Sequence, residues 1–457
     1  MEEKQEKDEF FEAPPAQIPA QQEQQQQKKK TKIKASSIIL AVFIALVSFL
    51  GGWFGHYYSL DEEVRTFLWA LNVSKKNYYR NVDEQQIYEG LYALLNLDPY
   101  SQLFSPDAYA QYEAEGKGQN IGVGISLVDE TVEGVTIPRF FLVVENSPAS
   151  RAGIRKGMYI LGFGTEDSMT QGDSSALIDF LSQQSGAFVL RCGYELDGSD
   201  AEYYTLKRES YQASYVHYRD SETGFRYRYD ENSALGYLEE TNEPLAGLDA
   251  MTAYIRLDEF SGNAAEEFVK CLILMRERGR EHLILDLRTN GGGFLSTLDE
   301  IAAHLLRNAE GNSPVVAKAV YRSGRTMLSY AEGNDFYSYF NENSRVWLLA
   351  DEYTASASEC LIGALVDYGT VQFSDIFLRQ NADGVAKTYG KGIMQSHFMS
   401  LSGAAMKLTT AEIVWPKGKS IHGVGVIPED GAIPVPADLI WGKSDPMLET
   451  VIETINK

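Results

Sequence analysis

The stretch Val346–Glu359, VWLLADEYTASASE, gives the clearest structural signal in the sequence. Its first five residues are apolar, and a short run with an aromatic and a β-branched residue predicts a buried strand. Small residues follow, and from Glu359 onward the apolar residues have the spacing of one helix face. Ser356 therefore lies where a strand turns into a helix, beside free backbone N–H groups. Because serine is also a common helix N-cap, this stretch alone leaves its role open.

A second strand with a turn precedes this stretch. LILDL at 283–287 is followed by RTNGGG, which ends in Gly291–Gly293. Helical patterns at 263–278 and 298–306 alternate with the strands, which predicts an α/β sheet with helices on its faces. Active residues in such sheets tend to lie at the carboxyl ends of strands. The glycines could supply an oxyanion-binding N–H, or they could form a plain tight turn.

The composition excludes some classes of function. The chain has 457 residues, of which 44% are hydrophobic, enough for two or three domains with a sizeable core. Its net charge of −23 argues against nucleic acid as a partner. The three cysteines are far apart, and no Cys or His spacing indicates a metal site. We therefore expect no metal, no cofactor and no disulfide framework.

The N-terminal part predicts a tail and an anchor. Residues 1–34 are polar and predict a disordered cytoplasmic tail. Residues 36–55 carry no charge and follow a lysine cluster, so 35–56 predict a single-pass transmembrane signal-anchor. The rest of the chain would then be extracytoplasmic, at a bacterial cell membrane. A buried core helix and a cleaved signal are the alternatives.

A nucleophilic serine needs a base, and Lys391 in the segment TYGKGIMQ is a candidate. Burial disfavours the ammonium form of lysine and can make the amine basic enough to act. If the segment is a strand, Gln395 points to the same side and could orient the amine. His397 lies in an alternation typical of an ordinary strand. Taken alone, Lys391 would be a solvated turn lysine.

Several segments together resemble the C-terminal processing peptidases, which are tail-specific serine proteases with a Ser–Lys active site. They occur in the family order over most of the chain beyond residue 60. The segments are LNLDPYSQLFSP (95–106), NIGVGI (120–125), ENSPASRAGIRKGMYIL (145–161), LILDLRTNGGG (283–293), TASASE (354–359), TYGKGIMQ (388–395) and SIHGVGVIPED (420–430).

The resemblance implies an α/β fold, a crotonase-like or ClpP-like mixed-sheet protease core with an inserted PDZ domain. The implied domains are a helical N-terminal region (57–116), the PDZ domain (117–209), the Ser–Lys core (210–432) and a C-terminal helical segment (433–457). It also implies Ser356 as nucleophile, Lys391 as base and Gln395 as its support. The implied oxyanion donors are Ala357 with Gly293 or Gly292, and the implied tail-binding residues are Ile121, Gly122, Val123, Gly124 and Ile125.

The expected function is therefore that of a membrane-anchored serine endopeptidase that recognises free C-terminal tails of protein substrates. The spacing between Ser356 and Lys391 is longer than usual in the family, and the added residues within 373–385 have a composition that can loop out. One alternative is a catalytically decayed, membrane-tethered PDZ adaptor that binds tails without cutting them. A weaker one is a lipid- or retinoid-binding relative. The helical segments 64–97 and 446–455 could pair two chains as a homodimer.

Overall fold

The computed structural model describes residues 35–457 except 78–83, 96–97, 133, 166–167, 230–235, 309–310, 312, 402 and 438–444. The chain divides into two compact units, residues 1–83 and 84–457. The first contains helices α1 (Ala35–Ser59) and α2 (Glu62–Asn77), and the tail predicted for 1–34 lies outside the described residues. Across the described ranges, no helix is both long and apolar enough to span a bilayer.

An eight-stranded mixed sheet organises the second unit. Its five central and C-terminal strands run parallel, and three antiparallel strands extend one side. In spatial order they are β12 (Gly236–Glu240), β11 (Gly224–Tyr229), β10 (Val216–Arg219), β13 (Thr252–Leu257), β14 (His282–Asp286), β17 (Val346–Ala350), β18 (Ile376–Gln380) and β21 (Ile433–Pro436).

Both faces of this sheet are covered, as the continuous apolar strands predict. Leu348 of β17 belongs to a core formed with three helices, whereas the adjacent Trp347 and Leu349 face a second core under the C-terminal helix. The helices are α7 (Ala264–Glu277), α8 (Leu295–Ala303) and α10 (Ala357–Asp367) on one face and α11 (Pro446–Ile455) on the other. The apolar face of α11 is therefore buried within its own chain.

Three smaller sheets complete the unit. A five-stranded sheet contains β1 (Gln102–Phe104), β20 (Ala405–Val414), β15 (Val315–Tyr321), β16 (Thr326–Tyr330) and β19 (Ile393–Met399). A six-stranded sheet contains β3 (Ile125–Val132), β4 (Val135–Val143), β5 (Tyr159–Thr165), β6 (Ser168–Thr170), β7 (Phe188–Gly193) and β8 (Glu202–Leu206), and β2 (Gln119–Gly122) pairs with β9 (Glu209–Gln212). The remaining described helices are α3 (Glu84–Leu95), α4 (Pro106–Gly116), α5 (Pro148–Ala152), α6 (Ser174–Gln183) and α9 (Phe336–Tyr339).

The α/β class and the strand at 346–350 are confirmed. Two predicted boundaries need correction. The helical region 57–116 contains strand β1, which pairs with β20 more than 300 residues away. The C-terminal segment 433–457 begins with β21, whose Ile433 pairs with Phe377, so the core sheet continues past residue 432. Both strands are short and are held by distant partners, which a local pattern does not show.

Candidate active site

The serine and the glycine turn lie side by side because their strands are parallel neighbours. β14 pairs with β17, and the loop that follows each strand emerges at the same edge. Ser356 is the N-cap of α10 and has a φ of 58°, a left-handed conformation that a residue with a side chain rarely adopts. The adjacent Ala357 begins the helix, where N–H groups have no intrahelical acceptor.

Glycine is required at 292 because the loop approaches the serine closely. A Cβ there would lie 2.7 Å from the Cβ of Ser356 and 2.9 Å from the nitrogen of Ala357, and φ is 103°. The N–H of Gly292 already donates to Asn290 Oδ1 at 2.9 Å. Two glycines were predicted to supply an oxyanion donor, and the N–H of Gly292 is already used in this hydrogen bond. Gly293 is the better candidate.

Asn290 connects three segments around the serine. Its side chain donates to the carbonyl oxygen of Leu257 at 2.8 Å, and its own carbonyl oxygen accepts from the N–H of Ala355 and the hydroxyl of Ser358, each at 3.0 Å. The side chain is fully buried. Because these bonds reach the end of β13 and the start of α10, Asn290 fixes the glycine loop relative to both.

Glu359 joins the serine and lysine segments. Its carboxylate is fully buried, and Oε2 accepts the backbone N–H of Ser356 at 3.0 Å and that of Lys391 at 2.9 Å. Oε1 accepts the hydroxyl of Thr388 at 2.5 Å and the N–H of Gly390 at 2.8 Å. Burial raises the pKa of Glu359, while these four donors oppose that shift. One carboxylate thus holds the two main chains next to each other.

Lys391 is positioned by residues from the start of the unit. Its Nζ lies 4.5 Å from the centre of the Tyr100 ring, and Tyr100 Oη is 2.9 Å from the hydroxyl of Tyr389. Burial lowers the pKa of Lys391, and the neighbouring Lys407 lowers it further, against opposing effects of Asp98 and Glu359. Within the described part of the chain, no hydrogen bond joins Lys391 Nζ to Ser356 Oγ.

The segment that joins Lys391 to Gln395 is not a regular strand. Strand β19 begins only at residue 393, and an irregularity between Met394 and Gln395 shifts its register, so the regular alternation from Lys391 does not apply. The side chain of Gln395 donates to Thr409 Oγ1 at 3.0 Å. His397 lies further along β19, with its Nδ1 3.3 Å from Tyr109 Oη.

A cavity of about 570 Å³ brings these residues together. Ser356, Ala357 and Gly293 form its wall on the core side, and Lys391 and Gln395 are on the five-stranded sheet side. Lys407 and His397 also line it; the sequence pattern assigned His397 to an ordinary strand and did not single out Lys407. The cavity therefore holds a strained serine, two candidate N–H donors and an amine of lowered pKa, which suits acyl transfer.

The comparisons with known proteins agree with this chemistry. Residues 251–430 match the model of peptidase family S41. The chain is a serine-type peptidase whose core is similar to this family. A carboxyl-terminal-processing protease of Picosynechococcus sp. is 28% identical over 348 residues, which cover 76% of this chain and 72% of the relative. One of Synechocystis sp. is 27% identical over 381 residues, covering 81% and 77%.

A solved structure supports the fold alone. A protein from Bacteroides fragilis described as an S41 protease superposes with a TM-score of 0.52 at 16% identity, over 85% of this chain and 97% of that chain. The family model and the two relatives, not this structure, confirm the resemblance to the C-terminal processing peptidases and the enzyme class that the motifs indicated. The roles of the individual residues remain to be proposed.

The segment ahead of Lys391 loops out, as its composition predicted. Asn381–Gly384 form an exposed turn, closed by the N–H of Gly384 to the carbonyl oxygen of Asn381 at 2.9 Å. Gln380 and Ala386 pair across its base. Residues 380–386 therefore project as a short hairpin, and the chain returns to Lys391 on the cavity wall.

A groove lies at the six-stranded sheet, where the tail-binding residues were predicted. Its volume is about 450 Å³, and β3 forms the edge strand of the sheet beside it. All five predicted residues line it. The lining is Asn120, Ile121, Gly122, Val123, Gly124, Ile125, Val144, Ile178, Leu181, Ser182, Arg208 and Tyr211. Asn120 also lines the catalytic cavity, so the two cavities share a wall.

Proposed function

We propose that this S41 peptidase cleaves polypeptides by a Ser–Lys acyl-enzyme mechanism, with Ser356 as nucleophile and Lys391 as general base. The supporting observation is the shared cavity, in which a strained serine at a helix start faces a lysine of lowered pKa. The backbone N–H groups of Ala357 and Gly293 are the proposed oxyanion donors.

The proposed reaction starts from the neutral amine. Lys391 removes the proton of Ser356 Oγ, and the oxygen attacks the scissile carbonyl carbon to form a tetrahedral oxyanion. The ammonium then returns the proton to the departing amine, which leaves an acyl-enzyme that water hydrolyses. Because Lys391 Nζ now lies over the Tyr100 ring, the amine must turn toward Ser356 before the first transfer.

The test compares Ser356→Ala and Lys391→Ala with wild type on an unfolded protein that carries an apolar C-terminal tail. Each variant should lose cleavage, and Lys417→Ala, at an exposed surface lysine, should keep it. Both active-site variants should retain wild-type melting temperatures, which separates lost chemistry from lost folding. Full activity of Lys391→Ala would rule out the dyad.

A tail-binding adaptor without catalysis is the competing function, and the longer spacing before Lys391 motivated it. An acylating serine probe distinguishes the two. A catalytically competent site should be labelled at Ser356, and Lys391→Ala should lose the label. Tail binding with no labelling in wild type would favour the adaptor.

We further propose that residues 117–209 act as a PDZ domain that captures the substrate's C-terminal tail in the groove beside β3. An edge strand has unpaired backbone groups, and an extended tail can add to it as another strand. The backbone of Gly122–Gly124 would receive the terminal carboxylate, and Ile125, Ile178 and Leu181 would contact the last side chain. A substrate with an amidated C-terminus should therefore have a higher KM than the free acid.

The anchor predicted for 35–56, with an extracytoplasmic catalytic unit, is also proposed. Its support is the uncharged run in the sequence and the exposure of Phe43 and Phe49 on α1. Protein expressed in bacteria should stay in the membrane pellet after alkaline carbonate washing. External protease should digest the catalytic unit in spheroplasts. Release into the wash would contradict the anchor.

A further inference from the structure

A second cavity, of about 280 Å³, lies between the six-stranded sheet and the eight-stranded sheet. One wall comes from the end of β4 and from α5 with the residues after it. The other comes from β10, β11, β13 and the start of α11. Ser356 does not line it, and it shares no lining residue with the groove beside β3, which we call the tail groove. No residue of the proposed reaction lies in it. We call it the inter-sheet cavity.

Each carboxylate that lines the inter-sheet cavity already has a cationic partner. The pairs are Glu145 with Arg228 at 2.9 Å, Asp258 with Arg256 at 2.6 Å, Glu243 with Arg226 at 2.8 Å and Asp445 with Arg288 at 2.6 Å. Asp258 also contacts His217 at 2.7 Å. The negative charge of the lining is therefore compensated within the protein.

Three lining cations have no carboxylate partner among the described residues. Arg155 donates to the carbonyl oxygens of Ser150 and Ile154, each at 3.0 Å. Arg219 donates to the carbonyl oxygens of Glu243 and Pro244, also at 3.0 Å. Lys156 is the third. Carbonyl oxygens satisfy hydrogen bonds but do not neutralise charge, so no direct ion pair among the described residues balances these three cations.

Lys156 is the strongest indication of a missing ligand. Its Nζ is buried, lies 5.3 Å from the centre of the Phe141 ring and makes no hydrogen bond with any described residue. A buried amine without a hydrogen-bond acceptor is costly, because its desolvation is not fully compensated. Burial and the nearby Arg256 lower the pKa of Lys156 to about 7, while Asp351 and Asp258 oppose the shift. An anion beside Nζ would remove this cost.

We propose that the inter-sheet cavity is a binding site for a phosphate group, coordinated by Lys156, Arg155 and Arg219. Three cations without a carboxylate partner, two of them arginines whose planar donors match phosphate oxygens, favour a compact dianion over a single carboxylate. The volume leaves room for a small organic group on the phosphate. The site does not depend on the proposed peptidase function.

Binding should be tested on the full-length protein by isothermal titration with inorganic phosphate, with sodium chloride matched for ionic strength. We expect saturable binding with a Kd of about 1 mM or lower. Lys156→Met and Arg219→Gln should each weaken it about tenfold, the effect of one lost charge-assisted contact. Lys417→Met is the matched control and should bind as wild type.

The ligand series identifies the source of the phosphate. Tighter binding of glycerol 3-phosphate than of inorganic phosphate would indicate an organic phosphate, and the reverse would indicate the free ion. Succinate binding as tightly as phosphate would overturn the assignment. So would the absence of saturable phosphate binding up to about 50 mM, far above the expected Kd, or equal affinities of wild type and Lys156→Met.

The pH dependence provides a second readout that a structural effect would not produce. Sulfate stays a dianion from pH 6 to 8, so a change in its affinity reports on the protein. The charged groups that act most strongly on Lys156 are Arg256, Asp258, Asp351 and Arg288. Other titratable or charged side chains lining the cavity are His217, Glu145, Arg155, Arg219, Arg226, Glu243 and Asp445. Sulfate should bind less tightly as the pH rises through 7, because Lys156 loses its proton. Lys156→Met should flatten this profile, and an unchanged slope would contradict the role of Lys156.

Discussion

The two halves of the catalytic cavity are built in different ways. The Ser356 half is local, because a buried strand, a sharp turn and a helix N-terminus follow one another within fourteen residues of sequence, 346–359. The Lys391 half is assembled from distant segments. Its lysine lies in an irregular stretch between β18 and β19 and is covered by Tyr100, which is close only in space.

This difference explains what holds each reactive group. Ser356 is fixed by backbone geometry and by a glycine loop that leaves no room for a side chain. Lys391 has a fixed backbone, through Glu359, but its amine contacts an aromatic ring and shows no hydrogen bond to Ser356 within the described residues. In the proposed mechanism, the nucleophile is preorganised, whereas the amine of the base has to move toward it. Substitutions at Glu359, which joins the two halves, in each half and in the tail groove should therefore lower activity by different amounts.

The largest effect is expected at Glu359, which holds both halves. Glu359→Gln keeps the size of the side chain but replaces one acceptor oxygen with an NH2 donor. In one orientation this donor faces the N–H groups of Ser356 and Lys391, and in the other it faces the donors of Thr388 and Gly390. Each orphaned buried donor costs about 1–3 kcal/mol. Displacement of the reacting groups should lower kcat/KM by roughly 100-fold or more. Thermal unfolding and peptide cleavage measure the two effects.

Glu453→Gln on the exposed side of α11 is the matched control for loss of one carboxylate. It should leave both the melting temperature and kcat/KM unchanged. If Glu359→Gln retained wild-type activity, the carboxylate would not be what aligns the serine and lysine segments.

The next effect isolates the serine half. Gly292→Ala places a Cβ 2.7 Å from Ser356 Cβ and 2.8 Å from the carbonyl oxygen of Ala355, in a backbone conformation that disfavours alanine. The serine or the glycine loop must shift, and we expect kcat/KM to fall roughly 100-fold through lost alignment. Gly291→Ala is the control, since its Cβ would meet nothing within 4 Å. Equal rates for the two variants would show that close packing at 292 is dispensable.

The same division decides how much could be predicted from sequence. The strand at 346–350, helix α11 at 446–455 and the placement of Ser356 beside the glycine turn follow from local periodicity and parallel pairing. Glu359 was visible in the motif, but a buried carboxylate that accepts four donors is a property of the folded state. The hydrogen bond from Gly292 to Asn290 and the register shift before Gln395 likewise depend on three-dimensional contacts.

The base half is tested at Tyr100. Tyr100→Ala should let water reach Lys391 Nζ, which reduces the burial that lowers the pKa of Lys391, so that pKa should rise. In the proposed mechanism the neutral amine is the active form, so the ascending limb of the kcat/KM–pH profile should move to higher pH. Activity at pH 7 should fall roughly tenfold for each unit of displacement.

Tyr100→Phe is the matched control because it keeps the ring and removes only the contact with Tyr389. Its profile should stay close to wild type. A shift of the Tyr100→Ala limb to lower pH would show that attraction of the ring for the ammonium outweighs its exclusion of water.

The smallest effect is expected furthest from the chemistry, in the tail groove. Ile178 on α6 is 57% exposed and lines the groove, so a bound tail would cover a side chain that is free in this structure. Ile178→Ala removes apolar contact worth about 1 kcal/mol, which should raise KM for an apolar tail about fivefold and leave kcat unchanged. Val128→Ala, at an exposed position of β3 that does not line the groove, should change neither constant. A fall in kcat of Ile178→Ala with KM unchanged would mean that the groove acts on the catalytic cavity through their shared wall at Asn120, not only by holding the substrate.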